Sequence, residues 1–170
     1  MVDQFIIGTI TWLHIVSVIG WSGGAIINLI VISPSLSKLS PQANGELVLK
    51  MFPRFLRVIQ AFTVFTLTFG PILAYLLNDG PPNQFDLVSP WSIFVTLGAS
   101  TGIVMFIVVF FLLTPTVKRL AQVVQQMQQD PKQPPPKQFA VLRRRMAIMG
   151  PLSVALLLLA EVFMVAAAQF

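Results

Sequence analysis

Two ionisable side chains sit inside otherwise apolar stretches of this chain. His14 is the only histidine, and Glu161 is the only acid within the four long apolar runs. Polar and ionisable groups are costly in an apolar surround, so they mark where chemistry resides. Neutral imidazole offers one N–H and one lone pair, and the lone pair can bind a metal or a haem iron. A carboxylate can accept from the N–H and orient the ring. If the two groups lie at one depth, they can meet, and His14 then has a nitrogen free for a metal. They can also simply satisfy each other.

The elements that must position these groups are four apolar stretches, at roughly 5–33, 55–77, 91–115 and 146–168. Each exceeds the ~20 helical residues needed to cross a hydrocarbon core of about 30 Å. Lipid offers backbone groups no partners, so spans of this length are helices. Composition agrees, with 55% hydrophobic and 10% charged residues, against about 25% charged in soluble domains. The expected fold is an all-α membrane protein. It is an antiparallel bundle of four transmembrane helices, one domain over 1–170, built as two repeated helical hairpins. The first stretch is too long for a signal peptide and has no basic n-region, so it reads as a permanent helix.

Charge placement orients the bundle. All 11 Lys and Arg residues lie in or beside two connections. Lys38, Lys50, Arg54 and Arg57 belong to the first. Lys118, Arg119, Lys132, Lys137, Arg143, Arg144 and Arg145 belong to the second. The connection at 78–90 carries only Asp79 and Asp86. The positive-inside rule puts both basic loops in the cytoplasm and both termini outside. The net charge of +5 therefore reads as a collar facing anionic headgroups, not as a nucleic-acid surface.

With this orientation His14 lies roughly 13 Å below the outer end of its helix, at ~1.5 Å per residue. Glu161, nine residues from the C-terminus, lies at a similar depth. His14, Ser17, Trp21, Gly24 and Asn28 are spaced alternately by three and four, so they share one helix face, which should look into the bundle. Gly20-x-x-x-Gly24 and Gly98-x-x-x-Gly102 allow close helix approach or leave room for a planar ligand. Arg54 and Arg57, three apart, share a face at the start of the second helix. They suit lipid phosphates or, for a haem low in the bundle, its propionates.

Two exits repeat. Ser33-Pro34-Ser35-Leu36-Ser37-Lys38-Leu39 matches Thr114-Pro115-Thr116-Val117-Lys118-Arg119-Leu120 in pattern. Each leads into a basic stretch and a return helix, as expected of two hairpins related about the membrane normal. The Gln-rich run from Leu120 should continue the third helix out of the membrane. Asp130-Pro131 should stop it, and Pro134-Pro135-Pro136 should form a stiff spacer. The connection from Asn78 reads as a turn, with Trp91 as an interfacial anchor.

Several chemistries are excluded. Without cysteine there is no disulfide or thiolate site. One histidine and one intramembrane acid cannot make a tight zinc or copper site in one chain. Met146, Met149 and Met164 offer thioethers for Cu(I), although methionine in apolar helices is usually packing. No nucleophile–base constellation, phosphate loop or acid pair is present, which argues against hydrolytic or group-transfer catalysis.

Trp12-Leu13-His14-Ile15-Val16-Ser17-Val18-Ile19-Gly20-Trp21-Ser22-Gly23-Gly24, leading to Ser33-Pro34, resembles the first helix of the CopD-like copper-resistance membrane domain and of the related HemJ-type protoporphyrinogen oxidases. Phe52-Pro53-Arg54-Phe55-Leu56-Arg57 is similar to the Arg-Phe-x-Arg that opens the second helix in these proteins, and Gly70 falls where that helix has a glycine. The resemblance implies a haem-ligand role for His14. HemJ-type members also use a lysine in the third helix, and 91–115 has none, which argues against protoporphyrinogen oxidation. Copper-resistance members carry more His and Met than this chain.

Two functions are consistent with these readings. One is a CopD-like membrane protein that binds a b-type haem or copper at His14, with Trp21, Gly24, Arg54, Arg57 and Glu161 around it, for redox handling or metal trafficking. The other is a non-catalytic small subunit or assembly factor of a larger membrane complex, or a homo-oligomer, without a cofactor. A bare copper permease ranks third.

Overall fold

A computed structural model describes residues 3–36, 38–77, 88–129 and 136–170. The described residues form five helices: α1 (Gln4–Leu36), α2 (Pro41–Lys50), α3 (Phe52–Leu77), α4 (Pro90–Gln129) and α5 (Lys137–Ala167). Four of them, α1, α3, α4 and α5, are long and apolar enough to cross a membrane. The protein is an all-α four-helix bundle, and its helices suit a lipid bilayer. The densest packing joins α1 to α3 and α4 to α5, while α1 and α5 also touch and so do α3 and α4.

The interior centres on an apolar cluster with at least one residue from every span: Trp21, Ile59, Met105, Val109 and Leu157. Many large apolar side chains point outward, among them Ile19, Ile30, Phe65, Phe111 and Val162. That pattern fits lipid as the solvent. Several hydroxyls within the spans are satisfied locally, whereas Thr66 Oγ1 is buried without a partner. Ser17, Ser22, Thr63, Thr101, Thr116 and Ser153 each donate to the carbonyl four residues back, which removes the cost of an unpaired donor in an apolar medium.

The two repeated exits share a backbone device. Asn28–Ile32 and Val108–Leu113 are π-helical. The Ser33 amide donates to Asn28 O, and the Thr114 amide to Val109 O. Proline lacks an N–H and clashes with the carbonyl four residues earlier, so the turn before Pro34 and before Pro115 widens. At the second exit the Thr114 hydroxyl also donates to Val109 O (2.7 Å) and accepts from Gln60 Nε2 (2.8 Å), tying α4 to α3.

The basic end holds more helix than expected. The third helix continues to Gln129, as the Gln-rich run predicts. The fourth begins at Lys137, not near 146, because Leu142 is buried in the packing (7% exposed) while Arg143, Arg144 and Arg145 are exposed. The connection at 34–54 contains α2, capped by the Ser40 hydroxyl, which accepts from the Ala43 amide. Proline at the start of α2 loses nothing, since its amide would be unpaired there anyway. Asn44 Nδ2 donates to Leu36 O (3.0 Å), and Gly45 lies against Gln128 and Val124 of α4. Asp130-Pro131, Pro134-Pro135 and the turn at 78–87 lie outside the described residues.

Candidate functional site

The predicted stripe on α1 faces the bundle. Ser17 (4% exposed) and Trp21 (2%) are buried, and His14, Gly24 and Asn28 are half-buried. Ile27, off the stripe, is exposed. The partner stripe on α3 is Ile59, Thr63, Thr66 and Gly70, again at alternate spacings of four and three. The same rule that marks α1 would have found it.

The imidazole of His14 lies against Gly70. A Cβ added there would meet His14 Cε1 at 3.1 Å and Nδ1 at 3.5 Å. Glycine is therefore what lets α3 approach the ring so closely. The backbone carbonyl of Thr66 is within hydrogen-bonding reach of the imidazole, while Nδ1 is buried and has no partner. The ring thus lies beside the Thr66–Gly70 turn of α3 with its Nδ1 unsatisfied. A backbone carbonyl orients a ligating histidine as well as a carboxylate does.

Glu161 is half-buried, with Oε1 shielded and unpartnered. Its Oε1 and the Nδ1 of His14 are both without a hydrogen bond, so these two atoms do not satisfy each other.

The other expected residues fall into different surroundings. Trp21 is a central member of the apolar cluster. Gly24 is covered by Ile59 and Phe55, and Gly20 by Phe62. Gly20 and Gly24 of α1 thus serve close packing. Gly98 is covered by the Met164 thioether, and Gly102 by Leu67. Met164 is therefore engaged in helix packing. Arg54 and Arg57 are exposed at the start of α3, and Arg57 Nε donates back to Pro53 O (3.4 Å). Gly70 marks the level of His14 on α3, and Arg57 lies roughly 20 Å from it along the helix. The arginines are thus set well apart from His14 along α3.

Two shallow hollows among the described residues are open surface depressions. One is lined by Ser40, Ala43, Glu46, Leu47, Lys50 and Met51, the other by Phe5, Gly8, Thr9 and Trp12. Neither includes His14. Among the described residues no three His, Cys, Asp or Glu side chains group as a metal site.

Compared with family models, curated proteins and solved structures, the chain matches none.

Proposed function

We propose that this chain is a CopD-like integral membrane protein in which His14 ligates a b-type haem, or a copper ion, for redox handling or metal trafficking at the membrane. The observation that carries the reading is the buried Nδ1 of His14 without a partner. A neutral imidazole nitrogen with a free lone pair is the form that binds a metal. One imidazole suffices as the axial ligand of a haem, so the donor type fits; the close packing of the ring on Gly70 means that α1 and α3 would part to admit a porphyrin. A haem bound there would supply one-electron redox chemistry.

The protein residues act on the imidazole. Gly70 admits the ring between α1 and α3, and the apolar cluster below it keeps water away. Trp21 and Gly24 support α1 from within the packed layer. Protoporphyrinogen oxidation is not part of the proposal, because 91–115 has no lysine. The basic ends of the helices face the cytoplasm in this reading, and both termini lie outside.

A second reading is favoured by one observation. Gly20, Gly24 and Gly98 are filled by Phe62, Ile59 and Met164, as in a helical scaffold built for packing. On that reading the chain is a small subunit or assembly factor of a larger membrane complex. Haem and copper analysis of the purified protein separates the two. Stoichiometric haem or copper that is lost in His14→Ala supports the first. Neither in the wild type supports the second.

A further inference from the structure

Two contacts fix where α3 meets α4. Leu67 Cδ2 closes on Gly102, 3.4 Å from where a Cβ would stand. Gln60 Nε2 donates to Thr114 Oγ1 (2.8 Å). The contacts advance in opposite chain directions, so the two helices are antiparallel. Toward the basic end, Arg57 lies three residues before Gln60, and Lys118 lies four residues after Thr114. At ~1.5 Å and ~100° per residue, each falls within about 6 Å of the bonded pair along its helix and within about 60° of it around the helix. On antiparallel helices these two offsets turn to the same flank of the groove between them. Both side chains are exposed. Arg57 Nε returns to Pro53 O (3.4 Å), which leaves the end of the guanidinium to an outside partner. Among the described residues the acids are Asp3, Glu46 and Glu161. Glu46 pairs with Lys50 (3.3 Å), and Asp3 and Glu161 lie toward the opposite end of the bundle. Among the described residues, then, neither cation meets a carboxylate.

Away from the basic end, the exposed side chains beside the groove are apolar: Val64 on α3, and Ile103 and Ile107 on α4. Two cations followed by an apolar run match the two halves of a phospholipid. We propose that the α3–α4 groove holds one anionic diacyl phospholipid, with its phosphate between Arg57 and Lys118 and its chains along Val64, Ile103 and Ile107. Guanidinium takes a phosphate through paired N–H groups, and ammonium takes it as a point charge. Two cations ask for a headgroup of net negative charge, because a zwitterion brings its own ammonium to the phosphate. A soluble acidic peptide would meet the charges and leave the apolar flank bare. The lipid lies on the outer surface of the bundle, so it needs no enclosed cavity. The site does not depend on whether His14 carries a ligand.

The test is thermal unfolding of the full-length protein in non-ionic detergent micelles at fixed pH and ionic strength, titrated with phosphatidylglycerol, phosphatidylcholine or inorganic phosphate. A bound lipid raises the midpoint by mass action. The expected result is a saturable rise with phosphatidylglycerol that the other two do not give. Arg57→Gln and Lys118→Gln should each move the titration to about fivefold more lipid, as expected for one basic residue at an anionic surface. Arg144→Gln removes a charge from the basic end on α5, outside the groove, and should leave the titration as in the wild type. A wild type that responds equally to phosphatidylcholine, or to no lipid, overturns the proposal. An equal rise with inorganic phosphate overturns the lipid assignment. A loss in Arg144→Gln as large as in Arg57→Gln also overturns it, since the binding would then be the diffuse attraction of the whole basic end.

Discussion

At residue scale the contact between His14 and Gly70 is the most sensitive point. An alanine methyl at Gly70 would press on Cε1 at 3.1 Å, and a leucine would force the ring out. Gly70→Leu should cost about 1–3 kcal/mol, the usual range for overpacking, seen as a lower unfolding midpoint. It should also remove any haem or copper held by His14. A second contrast tests the helix face. A Cβ at Gly24 would sit 2.5 Å from Ile59 Cδ1, so Gly24→Leu should cost about 1–3 kcal/mol. Ile27→Leu, at a residue 54% exposed, should stay within about 0.5 kcal/mol. The reverse order would put the wrong face of α1 inward. His14, Ser17 and Asn28 made this face legible in the sequence, because polar groups in an apolar helix stand out. The Thr66 carbonyl did not stand out, since every residue has one and only packing selects which meets a ring. Glu161 was visible as an intramembrane acid. Its lateral position was not, because equal depth says nothing about which way a helix is turned.

At the scale of elements the proline exits carry the most information. The hydroxyl-Pro-hydroxyl repeat was legible, and the reason for its recurrence is the π turn before each proline. Thr114 links this turn to α3 through Gln60. Thr114→Val leaves the Gln60 amide facing an apolar group, at a cost of about 1–3 kcal/mol. Gln60→Leu on the same background should recover part of it, since replacing both partners leaves no polar group unpaired. Unfolding of the two single variants and the double variant measures the coupling, and strict additivity would remove the link. Two elements were read short for one physical reason. Hydropathy reports the solvent around a helix, not the helix itself. It therefore missed α2 and the start of α5, where Arg143, Arg144 and Arg145 lower the apolar signal while the backbone stays helical. The Ser40-Pro41 start of α2 is a readable cap.

For the whole molecule, charge placement carries the proposed orientation and the histidine carries the proposed function. The chain has no cysteine, so single cysteines report topology cleanly. Ala43→Cys and Val88→Cys should label from opposite faces of sealed vesicles, with Ala43 on the cytoplasmic face. Labelling from one face would break the four-span arrangement. The number of spans was legible because apolar runs of this length have few other uses. How the helices pair was not, because lipid-facing and bundle-facing residues are almost equally apolar here, as Ile19 and Trp21 illustrate. The central claim is that His14 presents a ligating nitrogen inside the bundle. The most direct measurement is the reduced-minus-oxidised absorption spectrum of the detergent-solubilised protein, together with its copper content, in wild type and in His14→Ala with retained helicity. The account predicts a Soret band or stoichiometric copper in the wild type and neither in the variant. A wild type that purifies with neither, or a variant that keeps its ligand, would contradict it.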